Sequence, residues 1–217
     1  MGQLLDTALR IYARLPLLFT VLAGTVVVPY EVVVLLVSHG KHVSATAELL
    51  LTLANLALVN PCVAAMVMQA LIDLGEGRRP HGADVIRRGL MVLPVVAAAE
   101  IVAQLAEFAG FLLVIPGVIV AVRLAVAAQV AATEKTDWPG AIRRSVRLTR
   151  GNFLRVLGLV AIQWLLTYLV ALFIAHASSP APTVVGLVLG VLSQSFCTLL
   201  ISLLYFDLRA RDAARVA

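Results

Sequence analysis

Charge is scarce in this sequence: only 13% of the residues are charged, and the lysines are Lys41 and Lys135 alone. A soluble domain needs far more polar side chains to cover its surface, so this scarcity excludes an ordinary soluble fold. Cysteine is as rare. Cys62 and Cys197 both fall inside apolar runs without neighbours at metal-ligand spacing, which excludes a disulfide framework and leaves them as small packing residues. Catalytic patterns are also missing: no Ser-His-Asp arrangement, no phosphate-cradling glycine loop and no zinc-protease helix pattern. His39 and His42 are too lone a pair for a metal site, and His81 and His176 fall in connections. The expectation is a non-enzyme without cofactor or metal.

Apolar sequence takes the place of these features. Of the 217 residues 61% are hydrophobic, and mean hydropathy is +1.00. A bilayer crossing takes roughly 20 apolar residues at about 1.5 Å rise per residue, so six crossings consume most of the chain. The expected fold is therefore all-α, a polytopic membrane helix bundle forming a single integral membrane domain over 1–217. Its spans are expected near 16–37, 48–72, 90–109, 111–132, 153–175 and 183–208. The first apolar run, Pro16–Val37, exceeds the h-region of a signal peptide (about 7–15 residues) and lacks a small-residue cleavage site after it. It reads as a retained span.

Punctuation separates the spans. Ser38-His39-Gly40-Lys41 closes the first, the Gly75–Pro80 stretch closes the second, Gly110 turns the third into the fourth, and Ser178–Pro182 separates the last two. Pro29, Pro61, Pro94 and Pro116 lie inside spans and are expected to kink them. Gly186 and Gly190 form a small-xxx-small pair that favours close helix approach.

Fifteen of the 17 basic residues fall on one side of this arrangement; Lys41 falls on the other and Arg123 within a span. The positive-inside rule then places both termini in the cytoplasm, with the protein multi-pass in a cell (inner) membrane. Short basic amphipathic segments, Leu4–Arg14, Ala83–Gly89 and Trp138–Arg150, precede the odd-numbered spans. Asp73, Glu134 and Asp207 end the even-numbered ones. A carboxylate at a helix C-terminus opposes the macrodipole and calls for a cationic partner, which the preceding basic segments are expected to supply.

The segment Trp138–Arg150 is the best-defined element. Asp137 caps it, Pro139 suits its first turn and Gly151 ends it. Ile142, Val146, Thr149 and Phe153 share one face, while Arg143, Arg144, Arg147 and Arg150 cover the opposite side and Trp138 adds an interfacial ring. Such a helix lies in the inner headgroup layer, where each basic residue gains about 1 kcal/mol from anionic lipid. The expected partners are the bilayer, through anionic headgroups, or a membrane protein, and not nucleic acid.

Within the spans, Glu31, Glu100, Glu107 and Arg123 are the ionisable residues, each costing at least about 2.5–3.5 kcal/mol near the bilayer centre. Glu100 lies 10 residues before Gly110 and Arg123 13 after it. Their depths then differ by about 4.5 Å, which suits an ion pair between the third and fourth spans. Alternatively Glu100, Gln104 and Glu107, on one helical face, join Glu31 in an acidic lining. Asn60, Gln129, Gln163 and Gln194 place one amide in each of four other spans, a type of residue that more often glues helices than binds substrate.

The text Ile115-Pro116-Gly117-Val118, Val122-Arg123-Leu124, Glu134 and Ala141–Asn152 resembles the membrane domain found beside some glycerophosphodiester phosphodiesterases. It also resembles stand-alone bacterial membrane proteins of that type. Leu4–Leu18 and Tyr205–Arg209 fit the same pattern. The resemblance implies a six-helix membrane unit without the catalytic barrel. The functional expectation is a non-catalytic accessory or organising protein that binds anionic lipid or a partner through its basic rim. The alternative is a small transporter or channel lined by intramembrane carboxylates.

Overall fold

The computed structural model describes residues 2–38, 44–176 and 181–216. The loops that contain His39, His42 and Lys41, and Ser178 to Pro180, lie outside the described residues. The described chain is helical, with no strand, as the long uninterrupted apolar runs require: in a lipid core a helix satisfies its backbone groups within itself. Six helical stretches are long and apolar enough to cross a membrane. They are α2 (Pro16–Ser38), the stretch Ala45–Gly75, α5 (Gly82–Phe111), the stretch Ile115–Thr133, α9 (Phe153–His176) and α10 (Ala181–Val216). The stretch Ala45–Gly75 consists of α3 (Ala45–Ala54), a π-helical turn (Asn55–Val59) and α4 (Asn60–Gly75); Ile115–Thr133 comprises α6 (Ile115–Leu124) and α7 (Ala127–Thr133). Two amphipathic helices, α1 (Gly2–Arg14) and α8 (Trp138–Thr149), carry basic residues outside the spans.

The spans differ in how much they bury. The most apolar window of Ile115–Thr133 is 61% buried, against 17% for those of the first and fifth spans. The fourth span is thus the bundle's centre, and α2 and α9 turn most of their apolar surface outward. Every residue from Ala127 to Ala132 on α7 is buried. Large side chains close the core around it, among them Phe19, Met68, Leu159, Leu200, Leu204 and Tyr205.

Several boundaries differ from the sequence expectation. Ala83–Gly89 is no separate segment: α5 begins at Gly82 and carries the basic residues on its own first turns. Gly110 does not turn the chain. The helix runs on to Phe111, and the reversal occupies Leu112 to Val114, with Val114 at φ 35°. Gly110 instead faces Gly117, where an added Cβ would stand 2.8 Å from the Gly117 Cα, so the two glycines let α5 and α6 cross backbone to backbone. Gly190 has open space in place of a Cβ, so no close approach is made there.

The prolines divide into two kinds. Pro29 and Pro94 sit inside helices, whereas Pro61 and Pro116 occupy first turns. The π-helical turn directly precedes Pro61; the wider turn accommodates a ring that would otherwise crowd the preceding carbonyls. The fourth span breaks at Ala125 and Val126. Beside the break, the carbonyl of Arg123 accepts hydrogen bonds from Ser145 Oγ (2.9 Å) and Thr149 Oγ1 (3.4 Å), which fastens α8 to the bundle.

Candidate functional site

The three carboxylates expected to end the even-numbered spans each gather arginines, although Asp207 lies inside α10, which runs on to Val216. Asp73, 4% exposed, accepts from Arg78 Nη2 (2.8 Å) and from Arg88 Nη1 (3.0 Å), and Arg88 Nη2 reaches its second oxygen to complete a fork. Gly77, at φ 71°, closes this helix end: its N–H donates to the Leu74 carbonyl and the Arg78 N–H to that of Asp73. The resulting turn brings Arg78 back over the carboxylate. Glu134 accepts from Arg144 Nε (3.2 Å) and from the Tyr205 hydroxyl (3.2 Å). Arg144 donates its Nη1 to Asp212 (2.6 Å). Asp207 accepts from Arg211 (2.9 Å) and lies 3.4 Å from Arg155.

The sequence argument expected the partners in the preceding basic segments. The structure instead uses segments that follow: Arg78 and Arg88 after Asp73, Arg144 after Glu134, with Arg155 and Arg211 around Asp207. Consecutive helices are spatial neighbours here, so the next segment lies nearest the ends at Asp73 and Glu134, while Asp207 pairs within α10 and back to α9.

On α8 the expected faces are rotated. Ala141, Ser145, Leu148 and Thr149 are buried, while Val146 is exposed together with Trp138. Small and hydroxyl-bearing residues make the inner face because it packs against a helix break that offers a free carbonyl. Arg143, Arg147 and Arg150 are exposed, whereas Arg144 turns inward. Burial works against the charge of Arg144, but its hydrogen bonds to Asp212 and Glu134 outweigh that cost and raise its pKa above the ordinary value. The four arginines therefore divide, with three outside and one tying α8 to α10. Arg215 adds a second tie through the Arg150 carbonyl (3.2 Å), against Gly151 at φ 82°.

The intramembrane residues divide in a different way. A cavity of about 670 Å³ opens among the spans, lined by Glu100, Gln104 and Glu107 of α5 and by all four sequence-noted amides, Asn60, Gln129, Gln163 and Gln194. Ala103, Ala121, Ala125, Ala127 and Ala128 line it too, and their short side chains leave the space. Gln194 Nε2 donates to Asn60 Oδ1 (3.0 Å), which is the expected glue between helices, and Gln104 Nε2 donates to Glu100 (3.2 Å). Gln129 Oε1 is buried and has no hydrogen-bond partner among the described residues.

Asn55, Trp164, Thr167, Tyr168 and Thr198 also line the cavity and were not singled out in the sequence. Thr167 follows Gln163 by four residues, and Thr198 follows Gln194 by four, a helical spacing that marks a shared face. Asn55 and Asn60 are five apart and would diverge by about 140° on an α-helix. The π-helical turn, closed by the Asn60 N–H on the Asn55 carbonyl, puts both on the cavity wall.

Glu31 and Arg123 are not part of this wall. Among the described residues Arg123 makes no ion pair, so the expected Glu100–Arg123 pair is not formed. The depth count behind it assumed a one-residue turn at Gly110 and a straight fourth span, and the structure has neither. Among the described residues no group of three or more His, Cys, Asp or Glu side chains converges as a metal ligand set.

Comparison with known proteins adds a family. A family model described as a domain of unknown function, DUF7847, matches residues 82–211, from the start of α5 through most of α10. The chain is also 34% identical over 102 residues to a UPF0259 membrane protein of Pectobacterium carotovorum subsp. carotovorum (strain PC1). That match covers 46% of this chain and 40% of the relative, so the chain spans less than half the length of that protein. No solved structure matches. These matches overturn the resemblance to the membrane domain of glycerophosphodiester phosphodiesterases. The motif text that suggested it serves helix crossing at Gly117 and anchoring of α8, features that a membrane bundle of another family also needs. The protein is a multi-pass membrane protein and belongs to the DUF7847 family.

Proposed function

We propose that this is a non-catalytic accessory or organising protein of the inner membrane. Its basic end faces the cytoplasm and engages anionic lipid headgroups through α8. The observation that carries this reading is the way charge is distributed at that end. Six of its carboxylates, Asp6, Asp73, Glu76, Glu134, Asp207 and Asp212, are held by arginines of the chain itself. Arg143, Arg147 and Arg150 stay exposed and make no ion pair among the described residues, with Trp138 44% exposed on the same helix. A row of unneutralised arginines beside an interfacial ring suits a negatively charged membrane surface.

Native mass spectrometry of the protein released gently from membranes tests this reading. Anionic lipid should stay bound, and should be lost from the combined Arg143→Ala, Arg147→Ala and Arg150→Ala variant. Arg144 is left intact because it holds α8 to α10. Equal lipid retention by both forms would reduce these arginines to topology signals, and a retained protein in place of lipid would make the face a partner interface.

A second reading, a small transporter or channel, is favoured by one observation: Glu100 and Glu107 share a cavity with polar side chains from four other spans. In proteoliposomes Glu100→Gln would change solute or ion flux only under that reading.

A further inference from the structure

The cavity among the spans has a chemistry of its own. It presents two carboxylates, Glu100 and Glu107, and among the described residues no basic side chain lines it. A carboxylate within a span is costly unless something of opposite charge accompanies it. The structure supplies Glu100 only with the amide of Gln104, and Glu107 with no hydrogen bond among the described residues. Independently, Gln129 is 4% exposed and lines the same cavity, and among the described residues its Oε1 has no donor. A buried amide oxygen without a donor is rare and calls for a missing partner. The unpaired carboxylates point to a cation, and the unpaired amide oxygen marks a polar wall that the protein alone does not satisfy.

The size and the aromatic lining narrow the class. A volume of about 670 Å³ is far beyond one metal ion and falls in the range of small-molecule sites. α9 contributes Trp164 and Tyr168 to the lining, with the Trp164 ring 5.5 Å from that of Phe111 on α5. Aromatic faces attract organic ammonium groups, most strongly where water is excluded. We propose that this cavity is a binding site for an organic cation, an amine or quaternary ammonium compound. Glu100 and Glu107 supply the countercharge, and Trp164 and Tyr168 supply the aromatic part of the wall. This site is separate from the basic end, and its ligand is opposite in charge to the headgroups proposed there.

The two tryptophans provide the test. Trp138 lies on α8 away from the cavity wall and Trp164 on it, so Trp138→Phe leaves one reporter at the site. This single-tryptophan protein, in nanodiscs, is titrated with benzyltrimethylammonium while its fluorescence is followed. A saturable change is expected. Glu100→Gln should weaken it about tenfold, and Glu100→Gln combined with Glu107→Gln about 30-fold or more, as for loss of buried charge partners. Phenylacetate, similar in size but anionic, should give no saturable change. No saturation with the cation, equal affinity in the double variant, or an equal response to phenylacetate would each overturn the proposal. A lipid found by mass spectrometry to be displaced from the cavity in place of a bound cation would do the same. Unchanged elution and thermal unfolding of the variants keep a folding defect from being mistaken for lost binding. Failure here leaves the headgroup reading intact, since α8 does not line this cavity.

Discussion

At the scale of single residues, Asp73 shows what a buried charge does in this bundle. It closes the second span 4% exposed, where an unpaired carboxylate would oppose the helix dipole and lose its water. Arg88 and Arg78 cancel both costs with four side-chain hydrogen bonds. Because the arginines are themselves partly exposed, the expected loss for Asp73→Ala is moderate, about 2 kcal/mol. Arg79→Ala, next to Arg78 but without an ion pair among the described residues, should stay within about 0.5 kcal/mol. Thermal unfolding in detergent checks the pair, and equal midpoints for the two variants would argue against the role given to Asp73. Asp73 and Glu134 were legible in the sequence as the odd charge at a helix end, whereas Asp207 sits inside α10, which continues past it. Their partners were not, because spacing along the chain does not say which neighbouring segment lies over a helix terminus.

At the scale of elements, irregular points decide where the chain's chemistry sits. Gly110 was read as a turn because glycine punctuates sequences, yet it is a helix crossing. The true reversal uses Leu112 to Val114, apolar residues that carry no turn signal. Gly117 has no room: a Cβ there would meet the Phe111 backbone nitrogen at 2.7 Å and its Cα at 2.8 Å. Gly117→Ala should therefore cost about 1–3 kcal/mol through forced backbone separation. Gly190→Ala, with nothing within 4 Å, should be neutral or stabilise by about 0.5–1 kcal/mol through helix propensity. A lowered unfolding midpoint for Gly117→Ala beside an unchanged or raised one for Gly190→Ala is the expected result; an unchanged midpoint for Gly117→Ala would show that the α5–α6 crossing tolerates a methyl group. The same reasoning separates the arginines of α8. Arg144→Ala removes the ties to Glu134 and Asp212 and should speed amide exchange across residues 209–216. Arg143→Ala, outside that network, should leave exchange unchanged. Helical periodicity put all four arginines of α8 on one outer side, whereas Arg144 turns inward, and it missed the inner face by about one position. Ser145 and Thr149 are drawn to the carbonyl of Arg123, and no hydrophobic pattern records that attraction.

For the whole molecule, hydropathy was enough to find six spans because lipid leaves the backbone no alternative to closed hydrogen bonding. The cavity was only half visible. Its amides and carboxylates stood out as polar residues in apolar text, while the π-helical turn that joins Asn55 to Asn60, and the alanines that leave the space, gave no sign. The orientation proposed from the basic end has a direct test, for which the structure supplies suitable residues. Arg79 is exposed in the connection between α4 and α5, and Glu48 is exposed near the opposite end of the same span. Cys197 is buried and Cys62 half-buried within spans, so neither should react much with a polar thiol reagent. If the basic end faces the cytoplasm, an impermeant maleimide added to intact cells should label Glu48→Cys and spare Arg79→Cys. Opening the cells should then make Arg79→Cys reactive. Labelling of Arg79→Cys in intact cells would invert the topology, and with it the assignment of α8 to the anionic inner leaflet. The arginines of α8 would then face the outer leaflet, and the headgroup reading would lose its electrostatic basis.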